Sequence, residues 1–451
     1  MSGGPTTRTC FFATIALLTF GMAALSQERT SGDVLTLDHA IELARANNRE
    51  AKRANFDIDR QREATADAKT ALYPRFDAYL LGTQLLQPLD FTIKAGQLGT
   101  YPSTGPIPSS NMDLHTPARP VAVASITATQ PLTQIPRIRF FIAEQRLNED
   151  LSRQTSAKTD QQVISDVRHA YYSLLVSQSQ AESQRATVHS LEELNQLTGR
   201  RLQEKAVLKA DSLRVKSEEA KANYQLLVIE DAISDRKEAL NRLLGRDLLV
   251  EFSVEPVPTA LPEELDVQAA RQVALAQRPE IRIASIKQSQ ANLETRIEKT
   301  RYLPDISLQA NYLTPAGIAF LPQNVGGIGA LLTWQPWDWN QKRHNIAGKV
   351  IAEHQAALTT EDARAQVLLE VDSEFRKLGE ARAQLAVAES ARDAEQERLR
   401  NQTEAYTQQT ILLSDLLQEQ ALRATTEDQY RQALLAFWTT RADFERALGE
   451  E

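Results

Sequence analysis

Two stretches of this chain are patterned for helices too long for any compact core. From Arg137 to Glu255 there is no proline, and up to Leu244 the only glycine is Gly199. From Trp337 to the C-terminus there is again no proline. Proline and interior glycine are what normally end helices. Each stretch therefore predicts a rod of about 70 residues, or roughly 100 Å at 1.5 Å per residue. The first runs from Arg137 to about Lys205 and the second from Gln341 to Gln409. Val163, Val167, Ala170, Leu174 and Ala181 repeat with coiled-coil spacing along the first rod. Ala381, Ala388 and Ala391 take that place on the second and let helices approach closely.

Shorter segments flank the rods. Leu37–Leu72 has helical spacing, with Leu37, Ile41 and Ala44 on one face, and Tyr73-Pro74 ends it. Val267–Tyr302, Asp211–Leu244 and Asp415–Leu448 read the same way. Two such helices stacked end to end match the length of one rod. Four runs read as strands, with only weak alternation: Phe76–Leu86, Val121–Gln130, Ile306–Leu313 and Gly326–Trp334. In the third, Ile306, Leu308, Ala310 and Tyr312 face one way and Ser307, Gln309 and Asn311 the other. Gln87–Pro120 is rich in Pro, Gly, Ser and Thr and reads as a long loop.

The chain also repeats itself. Ala40, Ala44, Ala46, Glu50, Lys69, Thr70 and Pro74 recur 230 positions on as Ala270, Ala274, Ala276, Glu280, Lys299, Thr300 and Pro304. Val163, Val167, Leu174, Asp211, Leu213, Leu244 and Gly245 recur 204 positions on as Val367, Val371, Leu378, Asp415, Leu417, Leu448 and Gly449. Both registers run without a gap, which points to an internal duplication. The expected organisation is a first repeat over 27–245, a Pro-containing linker over 246–264, and a second repeat over 265–451.

Residues 1–26 read as a secretory signal: Arg8, an apolar run from Cys10 to Phe20, and Ala24-Leu25-Ser26 as a cleavage site. The lone cysteine lies inside it, so the mature chain would have neither disulfide nor thiol chemistry. Nothing around it resembles a lipidation signal. No other run is long and apolar enough for a transmembrane helix. The net charge of −8 argues against nucleic acid.

Strands of about 8–11 residues suit a tilted crossing of a bilayer. Four alone cannot close a barrel, and open edges are not tolerated in lipid. The strands therefore form either a soluble sheet or one part of a barrel shared among chains. Trp334, Trp337, Trp339, Tyr73 and Tyr302 cluster where strands meet helices. They read equally as an aromatic belt at a membrane interface or as packing at the junction.

At this point the chain resembles the TolC family of bacterial outer-membrane efflux channels. The resemblance rests on the duplicated helix–strand–strand–helix unit and on Leu72-Tyr73-Pro74 and Tyr302-Leu303-Pro304. It also rests on Gln130-Pro131 and Gln335-Pro336, and on the Asp-x-Leu turns at 211–213 and 415–417. It implies a mainly α chain with a small β part. Duplicated long-helix hairpins would form an α-helical barrel in the periplasm. Four strands per chain would join a trimeric, 12-stranded barrel in the outer membrane. The function implied is the exit duct of a tripartite efflux or type I secretion system, with a periplasmic adaptor and an inner-membrane transporter as partners. In the family, tyrosine, aspartate and arginine side chains hold the periplasmic end shut. Asp211, Asp415 and Tyr406 match the aspartate and tyrosine positions. Ile411 stands where the arginine would be, and Lys205 and Gln409 replace a glycine. Lys205 and Lys209 are then alternative partners for the carboxylates. Asp211 and Asp415 also read simply as helix caps, and three copies of Asp415 would make an acidic ring favouring cations.

No enzyme is expected. Gly326-Gly327-Ile328-Gly329 lacks the Gly-Lys-Ser/Thr of a nucleotide loop. The six histidines show no metal-ligand spacing, and no cofactor motif is present. The competing reading is a soluble periplasmic coiled-coil scaffold or adaptor.

Overall fold

A computed structural model describes residues 34–205, 207–258, 261–262, 266–318, 321–408 and 410–449. The signal reading of residues 1–26, the end of the linker and Gln409 lie outside the described residues. The chain opens with β1 (Val34–Leu35), followed by α1 (Leu37–Asn47) and α2 (Arg49–Thr70). The single helix expected over Leu37–Leu72 is therefore two. Asn48 leaves the helical region with ψ 132° and starts α2 as its N-cap. Its Oδ1 accepts from the Glu50 and Ala51 amides at 2.7 and 3.2 Å, which satisfies two first-turn donors.

Next come β2 (Arg75–Gln84), β3 (Leu89–Ile93), β4 (Thr100–Tyr101), β5 (Gly105–Pro106), β6 (Met112–Thr116) and β7 (Pro120–Pro131). The segment expected as a plain loop, Gln87–Pro120, is instead a stalked β-ribbon. β3 pairs with β6 from Leu89↔Thr116 to Ile93↔Met112, and β4 pairs with β5 above them. Then follow α3 (Ile135–Gln203) and α4 (Lys209–Leu243). The linker carries β8 (Ser253–Val254), which pairs in parallel with β1. The second set is α5 (Val267–Gln277), α6 (Pro279–Thr300), β9 (Asp305–Ala316), β10 (Val325–Thr333), α7 (Gln341–Thr407) and α8 (Leu413–Leu448). α3 and α7, of 69 and 67 residues, match the rods read from the sequence.

Along α3, α2 packs on the stretch nearest the sheet: Thr65 Oγ1 donates to the Gln145 carbonyl, and Ser156 to Asn55. α4 packs on the far stretch, where Gln184 reaches Ala222 and Asn195 reaches Glu219. The two short helices meet at Asn48, whose Nδ2 donates to the Leu243 carbonyl at 2.8 Å. The end-to-end stack is thus α2 on α4, and α1 lies to one side. Gly245 makes this close approach possible. Its φ is 69°, and a Cβ there would sit 2.3 Å from the Asn47 carbonyl oxygen.

The same joint recurs with different chemistry. Arg278, 230 positions after Asn48, is buried. Its Nη1 donates to the Arg446 carbonyl at 3.1 Å, and its Nη2 and Nε lie 2.6 and 2.9 Å from Glu370 and Glu280. Two carboxylates balance the buried guanidinium, as a charge out of water requires. The cores are also paired. Val163 and Val167 meet Ala40, Ala44, Leu240 and Leu244 in one; Val367 and Val371 meet Ala270, Ala274 and Leu448 in the other.

His169 on α3 ties to Asp443 on α8 at 2.9 Å. That hydrogen bond raises the imidazole pKa above its ordinary value, against partial burial, which lowers it. A raised folded-state pKa gives stability present below the ordinary histidine value and lost as pH rises through the raised one. The melting temperature should therefore fall further between pH 6 and pH 8 in the parent than in His169→Gln. Gly245→Val should lower the melting temperature in a circular-dichroism scan by the equivalent of about 1–3 kcal/mol. Gly348→Ala, inside α7 with nothing within 4 Å, should hold or raise it.

Candidate functional site

The strands assemble one four-stranded antiparallel sheet in the order β10-β9-β7-β2. Register sorts its side chains by chemistry. Phe76↔Ala128, Ala78↔Ile126 and Leu80↔Ala124 fall on one face, joined across the sheet by Ala310, Tyr312 and Ile328. Asp77↔Thr127, Tyr79↔Ser125, Gln309 and Asn311 fall on the other, together with Leu81↔Val123, Leu313 and Leu331, so that face is mixed rather than apolar. In a globular protein the apolar face would be covered. Here Phe76, Leu80 and Ile328 are 72%, 75% and 81% exposed. Such a patch calls for a non-aqueous neighbour. Alternation of this kind, apolar outward and polar inward, is how a membrane barrel is built. No described helix is long and apolar enough to cross a membrane. β2 and β10 are edges, each hydrogen-bonded on one side only.

Tyr73, Tyr302, Trp334, Trp337 and Trp339 all lie at the end of the sheet that meets the helices, and all are more than half exposed. Trp337 and Trp339 meet edge to face with centroids 5.7 Å apart. Trp339 and Asn340 both have positive φ, 55° and 67°. The Lys342 ammonium lies 5.9 Å from the Tyr302 ring centre.

The other end holds the two hairpin turns. Asp211 and Asp415 occupy the third position of α4 and α8. Each carboxylate accepts from the N-cap amide, Leu208 or Leu412, at 3.3 Å. The cap residues are leucines with no acceptor of their own, so this is half of a capping box. Tyr406 is 7% exposed, among Leu194, Val215 and Leu416, with Ile411 beside them. Arg201 Nη1 donates to Tyr406 Oη at 3.1 Å, and its guanidinium carbon lies 5.3 Å from the ring centre. The contact joins the last turn of α3 to the last turn of α7. Arg201 is absent from the sequence reading. The offset of 204 pairs Tyr406 with Leu202, next to Arg201, so the repeat held a signal for it. Lys205, with φ 56°, and Lys209 are exposed. Neither forms an ion pair with Asp211 among the described residues.

Residues 40–246 match the family described as outer membrane efflux protein. The stretch that matches is the first of the two repeats. Solved structures with the same fold include outer-membrane channels. The CmeC outer membrane channel of Campylobacter jejuni is 15% identical, covers 98% of this chain and 94% of its own, and has a TM-score of 0.74. For VceC of Vibrio cholerae the values are 16%, 92%, 96% and 0.70. For the MtrE channel of Neisseria gonorrhoeae, solved in an open state, they are 17%, 92%, 89% and 0.70. At these identities the likeness shows the fold. No curated protein sequence matches the chain. Over residues 40–246 the chain is thus similar to outer membrane efflux proteins, and its fold is that of outer-membrane channels.

The two sheet faces should respond oppositely to charge. Ile328→Arg should cost about 2–4 kcal/mol in the bilayer and reduce the folded, heat-modifiable protein recovered from outer membranes. Gln309→Lys, on the opposite face, should leave recovery unchanged.

Proposed function

We propose that three copies of this chain form the exit duct of a tripartite efflux or type I secretion system. The single observation that carries this is the sheet: one uncovered apolar face, one mixed face that holds the polar residues, and two open edges. β2 and β10 run in opposite directions, because three antiparallel pairings lie between them. The β2 edge of one copy can therefore pair antiparallel with the β10 edge of the next, and three copies make a closed ring of twelve. Closure satisfies every backbone group that lipid would leave unpaired. A soluble scaffold would leave Phe76, Leu80 and Ile328 in water.

In this reading the helices form a tunnel in the periplasm, with the repeats 27–245 and 265–451 supplying one hairpin each and 246–264 joining them at the waist. Residues 1–26 would be removed on export. The duct is passive, and the energy comes from an inner-membrane transporter reached through a periplasmic adaptor. The exposed aromatic cluster at the sheet–helix junction serves as the belt at the periplasmic interface.

The hairpin turns form the gate. Asp211 and Asp415 fix the starts of α4 and α8 as caps, and this allows them a second role at the constriction. Lys205 and Lys209, exposed at these turns, are the cations available to meet carboxylates of neighbouring copies. Arg201 takes the place of the arginine missing at Ile411, because its bond to Tyr406 spans the two hairpins. A detergent-stable trimer that conducts ions across a planar bilayer is the basic test; a monomer that conducts nothing overturns the reading. Arg201→Ala and Tyr406→Phe should each raise single-channel conductance, and the double variant should exceed neither by much, since both remove one bond. Asp211→Asn with Asp415→Asn should raise it too.

A further inference from the structure

The two hairpin turns are counterparts 204 positions apart, yet they carry opposite charge. Residues 200–216, from the end of α3 into α4, hold six basic and two acidic side chains. Their counterparts, residues 404–420, hold three acidic and no basic ones. This local excess of cations lies in a chain whose net charge is −8. Arg201 is engaged with Tyr406. The other five, Arg200, Lys205, Lys209, Arg214 and Lys216, are exposed. None of the five forms an ion pair among the described residues. Of the two acids, Asp211 is held in its cap, which leaves Glu204 alone to oppose them.

Two of the cations sit where local preference is against them. Lys209 opens α4, where the helix dipole favours an anion; its counterpart is Leu413. Lys205 holds φ 56°, a conformation that glycine adopts without penalty. A second copy brings little relief from its own acidic end. There Glu404 lies 3.9 Å from Arg400, Glu419 lies 3.3 Å from Arg398, and Asp415 caps α8. With Lys205 and Lys209 assigned to the gate, Arg200, Arg214 and Lys216 still lack a counter-charge. The Asn195–Glu219 contact sets Arg200 and Arg214 at about one height on neighbouring helices, with Lys216 within a turn of them. Leu208 and Leu213 stand bare beside them, 72% and 58% exposed. Cations interleaved with uncovered leucines suit an acidic protein surface that also brings apolar side chains.

We propose that the α3–α4 end docks the acidic end of a partner protein, once per chain, and that the α7–α8 end does not. Carboxylates of the partner meet Arg200, Arg214 and Lys216, and an apolar side chain between them covers Leu208 and Leu213. The proposal rests on the duct reading, which brings a periplasmic adaptor to this end. It adds the sign of charge that the adaptor must carry and confines the contact to the first repeat.

The test is biolayer interferometry on the full protein in detergent, with three probes. One is a synthetic helical hairpin closed by a Glu-Leu-Glu turn, the second the same hairpin with a Lys-Leu-Lys turn, and the third a phosphatidylglycerol vesicle. The parent should bind the acidic hairpin alone, one per chain, and more weakly as salt rises from about 50 to about 300 mM. Arg200→Glu, Arg214→Glu and Lys216→Glu together should weaken that binding about tenfold at low salt. Arg200→Lys, Arg214→Lys and Lys216→Arg together should keep it. A circular-dichroism melt matching the parent's shows that the reversed variant is folded; if it is not, the three glutamine substitutions take its place. Equal binding of the basic hairpin or of the vesicle, two hairpins per chain, or undiminished binding by the charge-altered variant would overturn the proposal. In those cases a parent that forms a conducting trimer leaves the duct reading standing. A parent that stays monomeric and conducts nothing overturns both.

Discussion

A β-sheet with two free edges cannot rest in hydrocarbon. Each unpaired amide or carbonyl there costs several kcal/mol, because no water can replace the missing partner. β2 and β10 present such edges, and their neighbours cannot come from the same chain, whose long strands are already used. This one deficit organises the rest. In the proposed duct it makes association part of folding, and the helices leave the sheet at angles compatible with a ring. In that duct the apolar face stays bare because the covering layer is lipid, and a helix laid over it would only compete.

The joints at the waist show how a duplicated unit keeps its geometry while its chemistry drifts. Asn48 and Arg278 do the same two things. Each interrupts a helix, and each donates to a carbonyl in the last turn of the helix stacked beneath. One does it with a neutral amide and the other with a buried guanidinium between Glu370 and Glu280. The first joint is self-contained. The second binds three separate elements through charge and is the more sensitive to losing any one partner.

The long rods, the repeat and the four strands were legible in the chain because each rests on a periodicity or an absence sustained over many residues. What was not legible rests on single residues. Nothing in the spacing around Asn48 shows whether it continues a helix or caps a new one, since its partner, Leu243, is remote in sequence. The ribbon from Leu89 to Thr116 hides among turn-forming residues because two of its strands are only two residues long. β1 and β8 are as short and exist only by pairing across the chain. Arg201 was invisible because its bond to Tyr406 joins separate hairpins, and only the repeat offset brings the two together.

The near-equal lengths of α3 and α7, 69 and 67 residues, constrain how such a chain can change. Each is braced along its whole run by two shorter helices, so a turn deleted from one would shift every seam beyond the deletion out of register. A viable indel must therefore arrive together with matching indels in α4, α7 and α8. Height in this architecture can change only in concerted steps of whole turns, whereas the ribbon at the opposite end needs only matched additions to β3 and β6 to keep its register.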